Sequence, residues 1–372
     1  MIGLLKKITI CVCLFGSMFS AYANKEGDKE CNKTVFITGG AGFMGSSFLE
    51  YMFKEHPDYH FIVLDNMTYA ANLENIPDCI RNSDRLEFIQ GSITDMSVVD
   101  PIMDRSHFVV HFAAETHVTR SIHDGAAFFD TNVMGTYTLI KSLVKHRNTV
   151  ERFIHISSSE VYGTAEYVPM DEAHPLNPRS PYAASKAGAE RLVYAYSCTY
   201  DIPTVIVRPF NYYGPKQNVE KMIPRFITSA LENQPLTIHG TGEQVRDWVH
   251  THDASVAIDR ILQVSDFSTL KNQEINLASQ KPISTIEIAK MILKHFDLPE
   301  SKLVHIKDRL GQVNCHYGSN QKAKKLLDWT PSTDFRDGLE KTIAWYKDHP
   351  SYWGKDCAEE MDQLALKEEL CQ

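Results

Sequence analysis

The run Gly39-Gly40-Ala41-Gly42-Phe43-Met44-Gly45 constrains this chain more than any other feature. It directly follows the β-branched apolar stretch Val35–Thr38 and opens an amphipathic stretch, Phe43–Lys54. Glycines at 39, 42 and 45 in a strand-to-helix turn allow a tight bend, and they bring backbone N–H groups and the positive end of a helix dipole against a pyrophosphate. Asp65, twenty residues beyond Gly45, closes the next apolar run, Phe61–Leu64. At that offset a carboxylate accepts from the ribose hydroxyls of an adenine dinucleotide and repels a 2′-phosphate. The expectation is an NAD site lined by Gly39, Gly42, Phe43, Met44, Gly45, Asp65 and Asn66. Ala113 and Ala114, small residues that end the run Phe108–Phe112, leave room for the cofactor across the strand ends.

Beyond the first turn, short apolar runs alternate with longer amphipathic segments, the pattern of a parallel sheet covered by helices. The runs Val35–Thr38, Phe61–Leu64, Leu86–Gln90, Phe108–Phe112, Phe153–Ile156 and Thr204–Val207 predict six strands. Phe43–Lys54, Phe128–His146 and Tyr182–Tyr200 carry apolar spacing near that of a helix. The expected fold is α/β, a Rossmann doubly wound parallel sheet over residues 32–209, followed by a smaller substrate-binding α/β domain over 210–350. The remainder, 351–372, reads as an acidic peripheral tail.

Bulk properties narrow the partners. A formal charge of −9 gives no positive field for nucleic acid. The cysteines lack metal-ligand spacing, so no metal site is expected. Lys6-Lys7, the apolar run Ile8–Phe19 and Ala21-Tyr22-Ala23 have the three parts of a secretory signal over residues 1–23, and the run is too short for a stable membrane anchor. Export to a bacterial envelope or beyond is one expectation and a cytoplasmic location the other. The sequons at Asn32 and Asn66 bracket the expected cofactor site, where a glycan would obstruct binding.

Tyr182 and Lys186 are spaced to project from one face of a helix. A phenol titrates near pH 10, and an ammonium beside it together with a positive nicotinamide ring would lower that value toward a usable base. The strand Phe153–Ile156 runs into Ser157-Ser158-Ser159-Glu160, which sets hydroxyls and a carboxylate at the end of a parallel strand, where α/β sheets hold substrates. Ser158 is placed to bond a substrate hydroxyl. Glu160 is placed to take a proton from carbon next to a new ketone, a group that a plain dehydrogenase does not need.

With these residues the chain resembles the extended short-chain dehydrogenase/reductase family and, within it, the nucleotide-sugar 4,6-dehydratases. Leu64–Leu73, His111–Val118, Thr131–Thr136, Ser180-Pro181-Tyr182 and Arg246-Asp247-Trp248 are similar to the dTDP-glucose 4,6-dehydratases. The resemblance implies a homodimer that oxidises C4 of a nucleotide sugar with tightly bound NAD, eliminates water across C5 and C6, and returns the hydride to C6. It implies that Tyr182, Lys186, Ser158, Ser159 and Glu160 are catalytic. It also implies that Glu115, Asn211, Lys221, Arg225 and Arg246 hold the sugar nucleotide.

Three departures stand out. Ser158-Ser159-Glu160 replaces that family's Thr-Asp-Glu, so the usual acid for the C6 hydroxyl is missing; the Ser-Glu pairing is similar to that of GDP-mannose and some UDP-N-acetylglucosamine 4,6-dehydratases, where one glutamate serves both transfers. Arg309-Leu310-Gly311-Gln312-Val313-Asn314-Cys315 replaces Arg-Pro-Gly-His-Asp-Arg-Arg. Ser92 stands where relatives carry an aspartate near the adenine. A 4-epimerase, a UDP-glucuronate decarboxylase and a silent NAD-binding scaffold stay open as alternatives.

Overall fold

The structure, a computed structural model, describes residues 33–308 and 310–353 of the chain. The signal-like segment, the sequon at Asn32, Arg309 and the tail beyond residue 353 lie outside them. In chain order the strands are β1 (Lys33–Thr38), β2 (Tyr59–Asp65), β3 (Leu86–Gln90), β4 (Phe108–His111), β5 (Arg152–Ile156), β6 (Thr204–Pro209), β7 (Asn211–Tyr213), β8 (Leu236–His239), β9 (Val245–His250), β10 (Gln273–Leu277), β11 (Pro282–Ser284), β12 (Leu303–Ile306) and β13 (Cys315–His316).

Seven of them form one parallel sheet in the order β10-β6-β5-β4-β1-β2-β3. Its strands read as continuous apolar runs because both faces are covered. Val35, Ile37, Phe61, Val63, Phe108 and Val110 pack in one core cluster. Their alternates Phe36, Ile62, Leu64 and Val109 pack in another, on the opposite face. The first cluster includes residues of the helices Phe43–Glu55 and Thr251–Gln263, and the second those of Met96–Asp104, Thr136–Lys145 and Pro181–Tyr200. Strand order runs outward from β1 to β3, then returns to β4 and continues the other way. The crevice of this reversal, between β1 and β4, is where doubly wound sheets bind ligands.

The seventh strand was not among the six expected. β10 pairs with β6 from Gln273 opposite Val205 to Leu277 opposite Pro209. The helix Thr251–Gln263 packs Ala254, Ala257, Ile258 and Ile261 into the first core cluster, and its Asp259 meets His56 at 2.9 Å. Part of the segment expected as a separate C-terminal domain therefore completes the first sheet. The half-polar sequence of β10, Gln-Glu-Ile-Asn-Leu, is buried only over its last three residues and hides the strand from periodicity. The expected helix 128–146 forms as a continuous helical segment, π-helical over Phe129–Gly135 and α-helical over Thr136–Lys145.

The remaining strands build a second layer. β9 pairs antiparallel with β11 and parallel with β7 and β13, and β8 pairs with β12. A separate core of Ile223, Phe226, Ile227, Ile288, Ile292 and Phe335, with neighbours, fills it.

Candidate active site

At Gly39 φ is +72°, and a Cβ there would lie 2.7 Å from the Ala113 nitrogen; at Gly45 it would lie 2.2 Å from the Gly39 carbonyl oxygen. Neither position accepts a side chain without moving backbone. Gly42 caps the helix Phe43–Glu55 with no side-chain hydrogen bond, which leaves the first-turn amides facing the crevice without a side-chain acceptor. The Asp65 carboxylate accepts from the Ala41 nitrogen at 2.9 Å and the Met67 nitrogen at 2.8 Å, so it fastens the loop to the end of β2. Burial raises its pKa, and those amides pull it back.

Across the crevice, Ser180 caps the helix Pro181–Tyr200 by accepting from the Ala183 nitrogen at 3.1 Å, with Pro181 at its first position. The helix buries Tyr182, Lys186 and Glu190 on one face. Lys186 Nζ donates to the Ile156 carbonyl at 2.6 Å. Burial brings its pKa down to about 8, against the pull of Glu190. Burial likewise pushes the Tyr182 phenol up to about 12, with a hydrogen bond to Ser158 lowering it and Glu160 raising it.

After β5 the chain makes a 3₁₀ turn, Ser159–Tyr162, in which Ser158 Oγ accepts from the Glu160 nitrogen at 3.1 Å. A buried chain of polar groups holds this turn. Ser157 donates to Glu190 at 2.6 Å, Arg208 donates to both Glu190 oxygens at 2.8 and 3.1 Å and to the Tyr162 hydroxyl at 3.0 Å, and Tyr162 donates to Asn276 at 2.7 Å.

A cavity of about 540 Å³ runs along the crevice. Every residue assigned a site role from the sequence lines it, from Gly39 and Asp65 through Ala113, Glu115, Ser158, Glu160, Tyr182 and Lys186 to Asn211, Lys221, Arg225 and Arg246. Asn66 is exposed on its wall, and Ser92 lines it too. At the sugar-nucleotide end, Arg246 Nη2 meets Gln312 at 3.4 Å, so the divergent 310–315 segment still reaches this arginine.

Several residues in and around this cavity carry no role assigned from the sequence. Glu220 is buried between His117 at 3.9 Å, Arg120 at 3.4 Å and Lys221 at 3.4 Å, and Arg120 lies over the Tyr69 ring at 4.1 Å. His316, from β13, meets Ser159 at 3.4 Å across 157 residues of sequence. Only the adjacency of Glu220 to Lys221 offered any local clue. Among the described residues no group of histidine, cysteine or acidic side chains is arranged to hold a metal, and no helix is long and apolar enough to cross a membrane.

Comparison with known proteins agrees with this geometry. The family model described as GDP-mannose 4,6 dehydratase matches residues 36–342. A dTDP-glucose 4,6-dehydratase of Mycobacterium tuberculosis is 37% identical over 323 residues, covering 86% of this chain and 95% of that one. Among solved structures, the dTDP-glucose 4,6-dehydratase DesIV of Streptomyces venezuelae, with NAD and TYD bound, is 35% identical with a TM-score of 0.82 and 86% and 98% coverage. UDP-glucuronic acid 4-epimerase of Bacillus cereus, with UDP-glucuronic acid and NAD, is 28% identical with a TM-score of 0.80 and 85% and 99% coverage. A Rossmann crevice, the Tyr182 and Lys186 helix and a glutamate at the end of β5 thus occur together in a chain that belongs to the GDP-mannose 4,6-dehydratase family of nucleotide-sugar-modifying short-chain dehydrogenases/reductases.

Proposed function

We propose that this chain is an NAD-dependent nucleotide-sugar 4,6-dehydratase, a hydro-lyase that forms a 4-keto-6-deoxy sugar. The observation that carries the reading is Glu160, which lines the same cavity as Tyr182. A C5 base is needed for elimination and not for oxidation alone.

The crevice fits NAD: a cradle that excludes Cβ atoms at Gly39 and Gly45, helix amides open to a pyrophosphate, and Asp65 at the ribose position. Gly39 to Gly45, Asp65, Asn66, Ala113 and Ala114 would hold it, with Tyr182 and Lys186 near the nicotinamide. When bound, NAD supplies the acceptor for the C4 hydride and the hydride returned to C6. Tyr182 takes the proton of the C4 hydroxyl, and Ser158 orients that hydroxyl. The positive charges of Lys186 and of the cofactor offset the effect of burial on the phenol. Glu160 takes the C5 proton, which the new ketone has acidified. Glu115 and Asn211 contact the sugar, while Lys221, Arg225 and Arg246 neutralise the diphosphate.

Incubation with dTDP-glucose, UDP-glucose, UDP-N-acetylglucosamine and GDP-mannose is expected to give a 4-ketosugar one water lighter from one of them. No conversion of any of the four overturns the reading. The likeness to an epimerase structure supports a second reading, 4-epimerisation. It predicts that Glu160→Gln keeps full activity, whereas the dehydratase loses elimination.

Two finer readings accompany this one. Phe129, Met134 and Tyr194 are exposed apolar side chains on the π-helical segment and the helix Pro181–Tyr200, and they support a homodimer across that face, testable by sedimentation. The export reading of residues 1–23 is compatible with the cavity only where Asn66 is not glycosylated.

A further inference from the structure

This inference rests on the dehydratase reading. Expelling O6 as H5 is removed needs a proton delivered at O6, and at Ser159 an unaided hydroxyl is far too weak an acid. Ser159 has a partner. β13 buries His316 behind the turn, with Nε2 3.0 Å from the Gly163 carbonyl oxygen. A carbonyl only accepts, so Nε2 carries the proton and Nδ1 keeps the lone pair in the neutral ring. Nδ1 lies 3.4 Å from Ser159 Oγ and 3.8 Å from Glu160 Oε1. One imidazole nitrogen thus faces both the expected base and the hydroxyl that stands where the acid is missing.

We propose that Glu160, His316 and Ser159 form a relay that carries H5 to the departing O6, with His316 a positioning and proton-carrying residue that acts through the other two. The C5–H bond breaks, its electron pair forms the C5=C6 bond, and the proton goes to the Glu160 carboxylate. Glu160 passes it to Nδ1 of His316. Nδ1 then releases it to Ser159 Oγ as the Ser159 hydroxyl proton moves to O6. The C6–O6 electron pair stays on oxygen, and water leaves. Nothing is oxidised or reduced in this step, and all three side chains end as they began.

The surroundings suit a carrier that is neutral at rest. Burial holds the imidazole below its usual pKa, Arg246 and His174 act the same way, and Glu160 and the Gly163 carbonyl oppose them. Its Nε2–H bond to Gly163 persists in both protonation states, and only the Ser159 contact reverses, the hydroxyl donating to Nδ1 in the neutral ring and accepting from it once protonated.

The test separates products of the full chain by mass, a 4-ketohexose that keeps O6 against the 4-keto-6-deoxyhexose one water lighter. His316→Asn keeps a polar group toward Ser159 but cannot carry a proton. It is expected to slow elimination ~100-fold, so that the O6-bearing ketohexose accumulates. Adding Ser159→Asp to this variant places an acid at O6 directly and is expected to recover about tenfold. A merely structural His316 gives neither the product split nor that rescue. Wild-type elimination in His316→Asn, loss of C4 oxidation together with elimination, or no recovery in the double variant overturns the relay. If His316→Asn does not fold, Ser159→Ala carries the same expected accumulation, and normal elimination in it overturns the proposal. A wild-type chain that makes no 4-ketosugar overturns the dehydratase reading instead, before any variant is compared.

Discussion

The phosphate loop and the Ser157–Gly163 turn both sit at carboxyl ends of strands in one sheet, two strands apart, yet they are built in opposite ways. The loop is a backbone object. Its shape follows from missing side chains at Gly39 and Gly45 and from one carboxylate, Asp65, that ties two amides. The turn is a side-chain object, held by Glu190 from a helix, Arg208 from β6, Asn276 from β10 and His316 from β13. The first kind of site fails by collision and the second by loss of a distant partner.

The largest effect on ligand binding is expected where the loop is broken. Gly45→Val puts atoms where a Cβ already sits 2.2 Å from the Gly39 oxygen, so the cradle cannot keep its shape. NAD binding, read by calorimetry, should weaken at least ~100-fold, about 2.7 kcal/mol. Unchanged affinity would show that the loop is not the cofactor cradle.

A remote cut should damage the turn. Arg208→Met leaves the fully buried Glu190 carboxylate with only Arg191, at 3.2 Å, of its two arginine partners and should cost about 3 kcal/mol in denaturant unfolding. Removing both charges, with Glu190→Gln added, should restore part of that. Equal loss in the single and double variants would mean that packing and not charge holds the turn.

The smallest expected effect sharpens the contrast between stability and function. Lys186 releases its proton near pH 8 when folded and near 10.5 when unfolded. Between those values the unfolded chain binds more protons, so stability rises with pH across the window and the penalty is fully present below it. The shift corresponds to on the order of 3 kcal/mol, and losing the bond to Ile156 offsets about 1 kcal/mol. Lys186→Met should therefore be about 2 kcal/mol more stable at pH 7 though inactive, an advantage that fades by pH 10.5. Parallel pH profiles for the two proteins would contradict the burial of the charge.

The same contrast explains what could be read in the sequence. The glycine loop, Asp65, the Tyr182 and Lys186 pair and the Ser-Ser-Glu turn are contiguous or helically spaced, so local rules reach them. β10 escaped because three of its five residues are polar and only its last three are buried, and the helix Thr251–Gln263 sat in a segment read as another domain. His316 escaped because its partner is 157 residues away and nothing in Cys315-His316 marks it. The Tyr182 and Lys186 spacing is legible in the sequence, but the direction in which Lys186 donates, to the Ile156 carbonyl, is a property of the packed helix and of no spacing.

The late arrival of β10 has a consequence for how the protein is made. During translation the edge of β6 stays unpaired until Gln273–Leu277 emerges, more than sixty residues after Pro209. At ribosomal speeds that is on the order of several seconds. A nascent chain or fragment ending near residue 209 carries an open, apolar strand edge, the kind that seeds aggregation. Cells that express this enzyme must shield that edge until the seventh strand closes it.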